Sequence, residues 1–512
     1  MLVKTFGSAL FGIDAITITI EVNIDKGIQF FLVGLPDSAV KESQQRIEAA
    51  LTNKGFKYPR QKVVINMAPA DIRKEGSSYD LPIAIGIMAA SGQIESTRLD
   101  QFIIMGELSL DGGLKPIKGA LPIAIKALQE GFKGMIVPLE NAREAAVVSE
   151  IEVYGAENIK EVVDFLNGDG NLERAMIDTE SDFLSSISRY EFDFSDVKGQ
   201  ENIKRALEIA AAGGHNAILI GPPGSGKTML AKRLPSILPP LSLEESLETT
   251  KIHSVAGMLG KNTSLVSVRP FRSPHHTISD AGLVGGGTYP QPGEISLAHH
   301  GVLFLDELPE FKRSVLEVMR QPMEDRVVTI SRARLSVDFP ASFMLIAAMN
   351  PCPCGYYNHP DQECVCSPGI VQKYLNKISG PLMDRIDLHV EVVPVPFKDL
   401  AERGTGELSQ AIRQRVMKAR KIQEQRFSEN QDVHSNAQMS SKMLQKYCDI
   451  SDAGRSLLKN AMERLSLSAR AYDRILKVSR TIADLEESAD IKTEHLAEAI
   501  NYRSLDRETW GS

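Results

Sequence analysis

The sequence contains no long apolar run and no excess of positive charge. No stretch of its 512 residues is long and apolar enough to span a bilayer, and the start, MLVKTFGSAL, lacks a charged region followed by a sustained apolar one. We therefore expect a cytoplasmic protein without a membrane partner. The formal net charge of −8 argues against a generally basic surface for nucleic acid, so any contact with DNA must come from a local patch or a pore.

The composition predicts several structural units. Hydrophobic residues make up 43% of the chain, enough for the cores of about three or four units at this length. In the first unit, which is of α/β type, Asp37–Thr52 is predicted as one helix and Phe102–Leu110 as one β-rich run. The predicted divisions are an α/β domain over 1–166, a linker over 167–193, a second α/β core over 194–396 and a helical lid over 397–512.

Residues 219–228, Leu-Ile-Gly-Pro-Pro-Gly-Ser-Gly-Lys-Thr, form a complete phosphate-binding motif of the type G-x-x-x-x-G-K-T. Its glycines let backbone N–H groups turn towards phosphate oxygens. Lys227 can reach the β- and γ-phosphates, and Thr228 offers a hydroxyl to Mg²⁺ at the start of a helix. The predicted nucleotide ligands are Gly221, Gly224, Ser225, Gly226, Lys227 and Thr228. A chance glycine-rich turn is the alternative.

An apolar run that ends in two acids, Gly301-Val-Leu-Phe-Leu-Asp-Glu307, predicts a buried parallel strand. We expect Asp306 to hold the Mg²⁺ shell and Glu307 to polarise the attacking water. The alternative is that the two acids cap the next helix.

Two more polar residues lie next to predicted strands. A third strand, Phe343–Met349, ends at Asn350, on the edge where open α/β sheets bind ligands, so Asn350 is a candidate sensor of the γ-phosphate and of water. Arg385 stands just before another apolar segment. An arginine from a neighbouring subunit that stabilises charge on a transferring phosphate is worth roughly 10³–10⁵ in rate. The alternative role of Arg385 is a salt bridge with Asp384 or Asp387.

Long motifs outside the nucleotide site carry a resemblance to a known family. They are Val33-Gly-Leu-Pro-Asp-Ser-Ala-Val-Lys-Glu-Ser43, Asn66-Met-Ala-Pro-Ala-Asp-Ile-Arg-Lys-Glu-Gly76, Arg269-Pro-Phe-Arg-Ser-Pro-His-His-Thr277, Asn350-Pro-Cys-Pro-Cys-Gly355 and Arg474-Ile-Leu-Lys-Val-Ser-Arg-Thr-Ile-Ala-Asp-Leu485. Over essentially its full length the chain resembles the YifB/ComM family of magnesium-chelatase-like AAA+ ATPases. The resemblance implies a P-loop AAA+ core and a hexameric ring with ATP and Mg²⁺ at subunit interfaces.

The same resemblance assigns a role to Arg470. A helix is predicted to begin near Ser468, with Ile475, Val478, Ile482 and Leu485 along one face. By its position at the start of this lid helix, Arg470 matches the second sensor arginine of the family. An ordinary solvated arginine at a helix start is the alternative.

Two inserts in the core are also implied. Residues 270–295, with Gly285-Gly-Gly287, resemble the helix-2 insert of this clade. Residues 326–339 alternate like a β-hairpin and place Arg332 and Arg334 near the turn. In related ring helicases such a presensor hairpin projects into the central pore, where cations can follow a phosphate backbone. The alternative is that these arginines are simply solvated at a hairpin tip.

The adjacent residues His275 and His276 lie in the first insert. Neighbours on a strand point to opposite faces, so we do not expect one metal ion to take both.

Four of the five cysteines are stronger candidates for a metal site. They occur as two pairs, Cys352-Pro-Cys354 and Cys364-Val-Cys366. Four thiolates satisfy tetrahedral zinc. The C-x-C spacing is less diagnostic than C-x-x-C, and a cytoplasmic setting disfavours disulfides. Structural zinc, a metal-free thiol loop and a redox role all remain open.

The N-terminal domain resembles the proteolytic domain of Lon, an α/β fold of the ribosomal-protein type. Lys74-Glu-Gly-Ser-Ser78 parallels the Lon nucleophile loop, with Ser78 at the nucleophile position. The counterpart of the catalytic lysine is Leu121, and a serine without a base is a poor nucleophile. We therefore interpret this domain as a non-proteolytic scaffold.

Three function classes follow: a DNA motor, a chelatase-type remodeller of a partner protein, and an ATP-dependent protease. The resemblance favours the first, a ring-forming ATPase that acts as a helicase or branch-migration motor in recombination or natural transformation. Its implied partners are further copies of the chain and branched or single-stranded DNA. Nothing in the sequence identifies a tetrapyrrole site.

Overall fold

The computed structural model describes residues 1–186, 190–260, 263–287, 290–332, 335–357, 359, 362–394, 406–430, 433–465 and 467–503. Its strands are β1 (Leu2–Phe11), β2 (Asp14–Asp25), β3 (Phe30–Val33), β4 (Lys62–Ala68), β5 (Phe102–Ile104), β6 (Glu107–Leu108), β7 (Leu114–Lys115), β8 (Gly134–Pro138), β9 (Glu152–Ala156), β10 (Ala217–Ile220), β11 (Phe271–Arg272), β12 (Gly285–Gly286), β13 (Gln291–Pro292), β14 (Val302–Leu305), β15 (Val327–Arg332), β16 (Leu335–Pro340), β17 (Met344–Met349) and β18 (Leu388–Glu391). Its α-helices are Ser38–Lys41, Ser43–Asn53, Asp80–Ala90, Ala120–Gln129, Leu139–Ala145, Ile159–Asn167, Thr179–Ser186, Glu201–Gly213, Lys227–Arg233, Leu243–Ala256, Asp280–Val284, Glu294–Leu297, Arg313–Val318, Arg320–Asp325, Pro368–Leu375, Gly380–Met383, Ser409–Arg426, Ser441–Tyr447, Asp452–Arg464, Ala469–Leu485 and Thr493–Asn501.

The N-terminal part of the chain forms a seven-stranded mixed sheet in the order β3-β4-β2-β1-β5-β8-β9. The antiparallel pair β1–β2 lies at its centre, and helices Asp80–Ala90 and Ala120–Gln129 pack on this pair. Every residue of Asp80–Ala90 is buried. A helix with no solvent face has no amphipathic period, which is why the sequence pattern did not reveal this one.

Two predicted segments of this domain are wrong in extent. Asp37–Thr52 is two helices, because the chain closes the first turn at Glu42, whose backbone N–H donates to the carbonyls of Ser38 and Val40. The run Phe102–Leu110 is two short strands. Between them the chain leaves the main sheet, and the Gly106 N–H donates instead to the Ser78 carbonyl at 2.9 Å.

A second sheet contains five parallel strands in the order β11-β14-β17-β10-β18. All residues of β10, β14 and β17 are buried, as their uninterrupted apolar sequences require. The predicted strands of this core are therefore confirmed. Because the strands run parallel, the phosphate-binding loop, Asp306 and Asn350 all follow strands at one edge of the sheet.

The two inserts pack against each other. The hairpin β15–β16 is antiparallel and pairs Val327 with Pro340 and Arg332 with Leu335. Its Ile330 side chain contacts Gly285 of the first insert, and the Arg332 guanidinium lies beside Gly286. Arg334 lies outside the described residues. The hairpin and the first insert are therefore in direct contact.

The C-terminal helices cover the core on another side. Helices Ser409–Arg426 and Ala469–Leu485 pack on Glu201–Gly213. The predicted start of the lid helix is confirmed, since the Ser468 side chain accepts a hydrogen bond from the Ala471 N–H as an N-cap. On its predicted apolar face Ile475, Val478 and Ile482 are buried, and Leu485 is partly buried. Among the described residues, every helix is too short or too polar to traverse a membrane.

The N-terminal sheet and the core meet through helix Leu243–Ala256. The Gly119 N–H donates to the carbonyl of Ser254 at 3.1 Å, and the Ser254 hydroxyl donates to the buried carboxylate of Glu144. Glu144 also accepts from the N–H of Leu121 at 2.9 Å. The surrounding apolar contact consists of Leu121, Val147, Phe183, Leu241 and Leu265, called here the interdomain cluster.

Candidate nucleotide site and its surroundings

The phosphate-binding loop is shaped by its glycines. It begins after β10 and ends at helix Lys227–Arg233. Gly224 and Gly226 have φ angles of +76° and +88°, in the left-handed region where other residues are strained. A Cβ on Gly221 would lie 2.2 Å from the carbonyl oxygen of Val392. The backbone angle or the close packing at each of these three positions therefore requires a glycine.

The ammonium of Lys227 is buried at the centre of this loop. It donates to the carbonyls of Gly221 at 2.7 Å and Pro222 at 2.8 Å, and to the Asn350 Oδ1 atom at 3.2 Å. Burial lowers the pKa of Lys227, and the negative charge of Asp306 opposes that shift. The structure thus brings the predicted sensor Asn350 into contact with the predicted phosphate ligand.

Two oxygen donors suited to Mg²⁺ lie together beside the loop. The Thr228 hydroxyl donates to the Oδ2 atom of Asp306 at 2.6 Å, and the Glu307 N–H donates to Oδ1 at 3.0 Å. Hydroxyl and carboxylate oxygens are the hard ligands that Mg²⁺ prefers. The residues predicted to hold the ion are therefore adjacent in space although distant in sequence.

Glu307 has a strained backbone and an unforeseen partner. Its φ of +52° is uncommon for a residue with a side chain. Its carboxylate lies 3.3 Å from the Nδ1 atom of His276, which follows the edge strand β11. His275 and His276 lie at a turn rather than on a strand, and their ring centroids are 4.1 Å apart. Our argument from strand alternation was therefore wrong for this pair.

Arg385 is held within its own chain. The guanidinium is buried, lies 2.7 Å from the Glu324 carboxylate, and donates to the Pro381 carbonyl at 2.6 Å. The alternative prediction, a salt bridge of Arg385 with Asp384 or Asp387, is wrong as to the partner, which is Glu324. Arg470 lies exposed in the first turn of the lid helix, with no salt bridge in the part of the chain that the structure describes.

A buried network that the sequence did not reveal lies two residues after Arg385. The Asp387 carboxylate is 3.0 Å from the Nδ1 atom of His215 and 3.2 Å from the guanidinium of Arg474 on the lid helix. Burial opposes ionisation, yet Arg474 and His215 outweigh it and hold the pKa of Asp387 below its usual range. Burial lowers the pKa of His215. These contacts link the Arg385 segment to the lid.

Comparison with known proteins identifies the family. "Magnesium chelatase, subunit ChlI" matches residues 193–400, "Subunit ChlI of Mg-chelatase" matches 20–141, and "Magnesium chelatase, subunit ChlI C-terminal" matches 406–503. The chain is 46% identical to competence protein ComM of Haemophilus influenzae, over 98% of this chain and 97% of that protein. The chain belongs to the YifB/ComM family of magnesium-chelatase-like proteins. It is also 44% identical to the protein YifB of Escherichia coli, over 98% of this chain and 96% of that one.

Membership of this family implies an AAA+ ATPase that uses ATP and Mg²⁺. A shorter likeness, 32% identity over 31% of this chain and 33% of the other, relates it to Lon protease 2 of Bacillus subtilis. The lysine nearest to Ser78 in the sequence has other partners. The ammonium of Lys74 is buried and donates to the carbonyls of Pro69 and Ile72. Among the described residues, no histidine, lysine or carboxylate bonds to the Ser78 hydroxyl.

The four cysteines converge at one point next to Asn350. The Cys352 sulfur is 3.3 Å from that of Cys354 and 3.7 Å from that of Cys364, and Cys366 completes a group whose sulfurs all lie within 4.8 Å of one another. Zinc–thiolate bonds of about 2.3 Å in a tetrahedron place the sulfurs about 3.8 Å apart. The cluster therefore has dimensions that suit zinc.

A second group of residues that could bind a metal consists of Glu248, His299 and His300. The two histidines precede β14, whereas Asp306 and Glu307 follow it. The Nδ1 atom of His299 accepts from the Ser342 N–H at 3.0 Å. The neutral ring then carries its proton on Nε2, the atom that faces Glu248 at 3.3 Å, and has no free lone pair there for a metal. Burial lowers the pKa of His299 to about 4, which keeps the ring neutral. This group is a hydrogen-bond network.

Proposed function

We propose that this chain is the subunit of a hexameric, ATP-driven motor that moves branched or single-stranded DNA. The observation that carries the proposal is the direct packing of the hairpin β15–β16 on the first insert, which itself contacts the candidate catalytic residue Glu307 through His276. A structural change at the ATP site can thereby reach the exposed arginine Arg332. The name of the ComM relative supports a role in competence and hence in DNA uptake or recombination.

Within the ATP site each side chain has one proposed task. Gly224, Ser225 and Gly226 offer backbone N–H groups to phosphate, and Lys227 holds the β- and γ-phosphates. Gly221 starts the loop and permits its close approach to Val392, while its own N–H donates to the Met349 carbonyl at 3.2 Å. Thr228 and Asp306 hold Mg²⁺. Glu307 takes a proton from the attacking water, and Asn350 orients that water beside the γ-phosphate. ATP with Mg²⁺ supplies the phosphoanhydride bond whose hydrolysis drives movement.

In the proposed ring, Arg385 and Arg470 complete the site. Arg385 leaves Glu324 and reaches the ATP site of a neighbouring subunit, where it stabilises negative charge on the transferring phosphate. Arg385 would then exchange the Glu324 carboxylate for the phosphate, so its positive charge would have an anionic partner in both positions. Arg470, already exposed at the start of the lid helix, senses the phosphates of its own subunit.

Contact with DNA is proposed to come from Arg332, which is exposed at the end of β15, and from Arg334, which lies outside the described residues. Arginine at an exposed tip can track a phosphate backbone without reading its sequence. The negative net charge of −8 restricts such binding to local cationic positions. In this proposal the domain over 1–166 is a Lon-protease-like scaffold, joined through 167–193 to the AAA+ core over 194–396 and the lid over 397–512.

We also assign structural zinc to Cys352, Cys354, Cys364 and Cys366. The four sulfurs suit its tetrahedral geometry, and no disulfide joins the described cysteines. Zinc there would hold the segment after Asn350 in a fixed shape.

A second function has support from the matching family descriptions, which name a magnesium chelatase subunit. Such a protein would use ATP to remodel a partner protein instead of DNA. The deciding experiment measures ATP turnover of the full chain with a Holliday junction, with linear duplex, and without DNA, together with branch migration. Stimulation by the junction and ATP-dependent migration support the motor. Turnover that is indifferent to DNA, with no migration, would favour the remodeller.

A further inference from the structure

The four-cysteine loop rests directly on the phosphate-binding loop. Gly355, the residue after Cys354, faces Pro223, and a Cβ on Gly355 would lie 2.4 Å from the Pro223 Cδ atom. The φ of Gly355 is +89°, in the region that favours glycine. A residue with a side chain could not keep this close approach.

The same short segment contacts the phosphate-binding loop at a second point. Asn350 accepts from the Lys227 ammonium at 3.2 Å, five residues before Gly355 meets Pro223. Between these contacts lies Cys352, whose side chain is buried. The Gly355 N–H donates both to the Cys352 carbonyl at 3.0 Å and to the Cys352 sulfur at 3.2 Å. Cys352 therefore fixes the residue that touches the loop, partly through its sulfur.

The remaining thiols come from farther along the chain. Cys364 and Cys366 precede helix Pro368–Leu375, and the Cys364 sulfur lies 3.6 Å from that of Cys354. Cys354, Cys364 and Cys366 are partly exposed, which leaves the cluster open to solvent and to an arriving ion. A metal held by all four thiolates would join Cys352 to Cys366 and close the chain between them into a rigid loop. Part of the free energy of metal binding would then stabilise the ordered conformation of that loop.

We propose that zinc at this cluster controls the ATP site, so that metal loading raises the affinity for ATP by holding Asn350 and Gly355 against the phosphate-binding loop. This inference rests on the zinc site of the proposed function. Binding linkage is reciprocal, so ATP must tighten zinc by the same factor. We expect a factor of about ten, the size of one lost hydrogen bond to a charged group.

The test begins with the wild-type full chain. Zinc is measured by elemental analysis, then removed with a zinc-selective chelator that is separated from the protein before Mg²⁺ is added. ATP affinity is measured for the loaded, depleted and refilled protein. Zinc affinity is measured by competition with a chelating dye, with and without a non-hydrolysable ATP analogue and Mg²⁺. The proposal expects about tenfold weaker ATP binding after depletion, recovery on refilling, and about tenfold tighter zinc with the analogue.

Two variants distinguish control of ATP binding by zinc from a purely stabilising effect of zinc on the fold. Gly355→Ala keeps all four thiols but cannot keep the contact with Pro223, so it should retain zinc and bind ATP more weakly. Gly369→Ala is its control, since a Cβ there meets nothing within 4 Å. Cys364→Ser should lose zinc, and its control is Cys448→Ser, which changes a buried cysteine outside the cluster.

The outcomes distinguish the two proposals. If the protein takes up no zinc even when zinc is supplied, both the zinc site and its control of ATP fail. If zinc binds but its affinity is the same with and without the ATP analogue, the zinc is structural and the inference is overturned. If depletion unfolds the chain, Gly355→Ala decides, because this variant keeps the metal in place and loses only the contact with Pro223. Unchanged ATP affinity in zinc-loaded Gly355→Ala would then overturn the inference.

Discussion

The carboxylate of Glu307 lies 3.3 Å from the Nδ1 atom of His276. The two residues follow neighbouring parallel strands, β14 and β11, so the sheet order itself brings them together. The contact holds the proposed catalytic carboxylate towards the first insert. Hydrolysis would then require Glu307 to turn from His276 to the attacking water, which ties turnover to the position of the insert.

Replacing His276 should therefore release Glu307. We expect His276→Ala to raise ATP turnover without DNA by about threefold, the scale of one exposed ion pair, and to reduce the further stimulation by DNA. Steady-state turnover with and without junction DNA is the measurement. His275→Ala, which removes the neighbouring ring but not the contact, is the control. A lower rate in His276→Ala would mean that the histidine positions Glu307 for catalysis.

Substitutions in the ATP site should separate binding from hydrolysis. Lys227→Ala removes a phosphate ligand and should weaken nucleotide binding. Glu307→Gln keeps the side-chain shape but loses the base, so it should bind ATP normally and hydrolyse it at least about a hundredfold more slowly. Binding of a fluorescent ATP analogue and steady-state turnover test this pair. A normal turnover rate in Glu307→Gln would contradict the assignment.

Arg385 is expected to act on a neighbouring subunit. Each single variant, Arg385→Ala and Lys227→Ala, should be inactive alone. Mixed rings contain some interfaces in which an intact Lys227 site meets an intact Arg385, so mixing should restore part of the activity. Co-assembly is verified by pull-down of a tagged subunit. Complete inactivity in confirmed mixed rings would argue that Arg385 serves only its own chain through Glu324.

The hairpin arginines should bind DNA electrostatically. Arg332→Ala combined with Arg334→Ala should weaken DNA binding for all sequences and lower the slope of log affinity against log salt by about one to two. ATP binding should be unchanged. Arg455→Ala with Lys459→Ala, on the exposed face of a C-terminal helix, removes the same charge elsewhere and is the control. An unchanged slope in the hairpin variant would exclude the hairpin as the DNA contact.

The buried pair of His215 and Asp387 should make the fold acid-sensitive. Both side chains have pKa values below their ordinary ones, so the unfolded chain binds more protons and the stability they contribute falls as pH drops below about 6. Asp387→Asn should cost about 3 kcal/mol at neutral pH by leaving the buried ring of His215 and the partly buried Arg474 without their partner. Because Asp387 raises the pKa of His215, its removal should lower that pKa further and leave the loss of stability on acidification at least as steep. Denaturant unfolding between pH 4.5 and 8, chosen as about the range of histidine and carboxylate titration, is the measurement. Asp452→Asn, which alters an exposed salt bridge with Arg455, should leave stability almost unchanged.

The nucleotide motifs were predictable because each is a short local pattern. Their glycines, lysine and acids have fixed spacings, and the strands before them are uninterrupted apolar runs. Asn350 and Arg385 could be placed because each follows or precedes such a run. The sequence could also group the four cysteines, since only a short loop separates the two pairs.

The contacts between distant segments could not be predicted in the same way. His276 meets Glu307, and His215 meets Asp387, only because of the order of strands in the core sheet. Glu324 pairs with Arg385 across a bend that no local pattern encodes. The helix Asp80–Ala90 was missed for a different reason, since burial on all sides removes the periodic signal on which helix prediction depends.

The interdomain cluster contains apolar side chains from both halves of the chain, which are buried against each other. A chain cut near residue 193 would expose Leu121 and Val147 on one fragment and Leu241 and Leu265 on the other. It would also separate Glu144 from Ser254. An exchange of either half for that of a relative would therefore have to match both sides of this contact, because a mismatch would expose these apolar side chains to water.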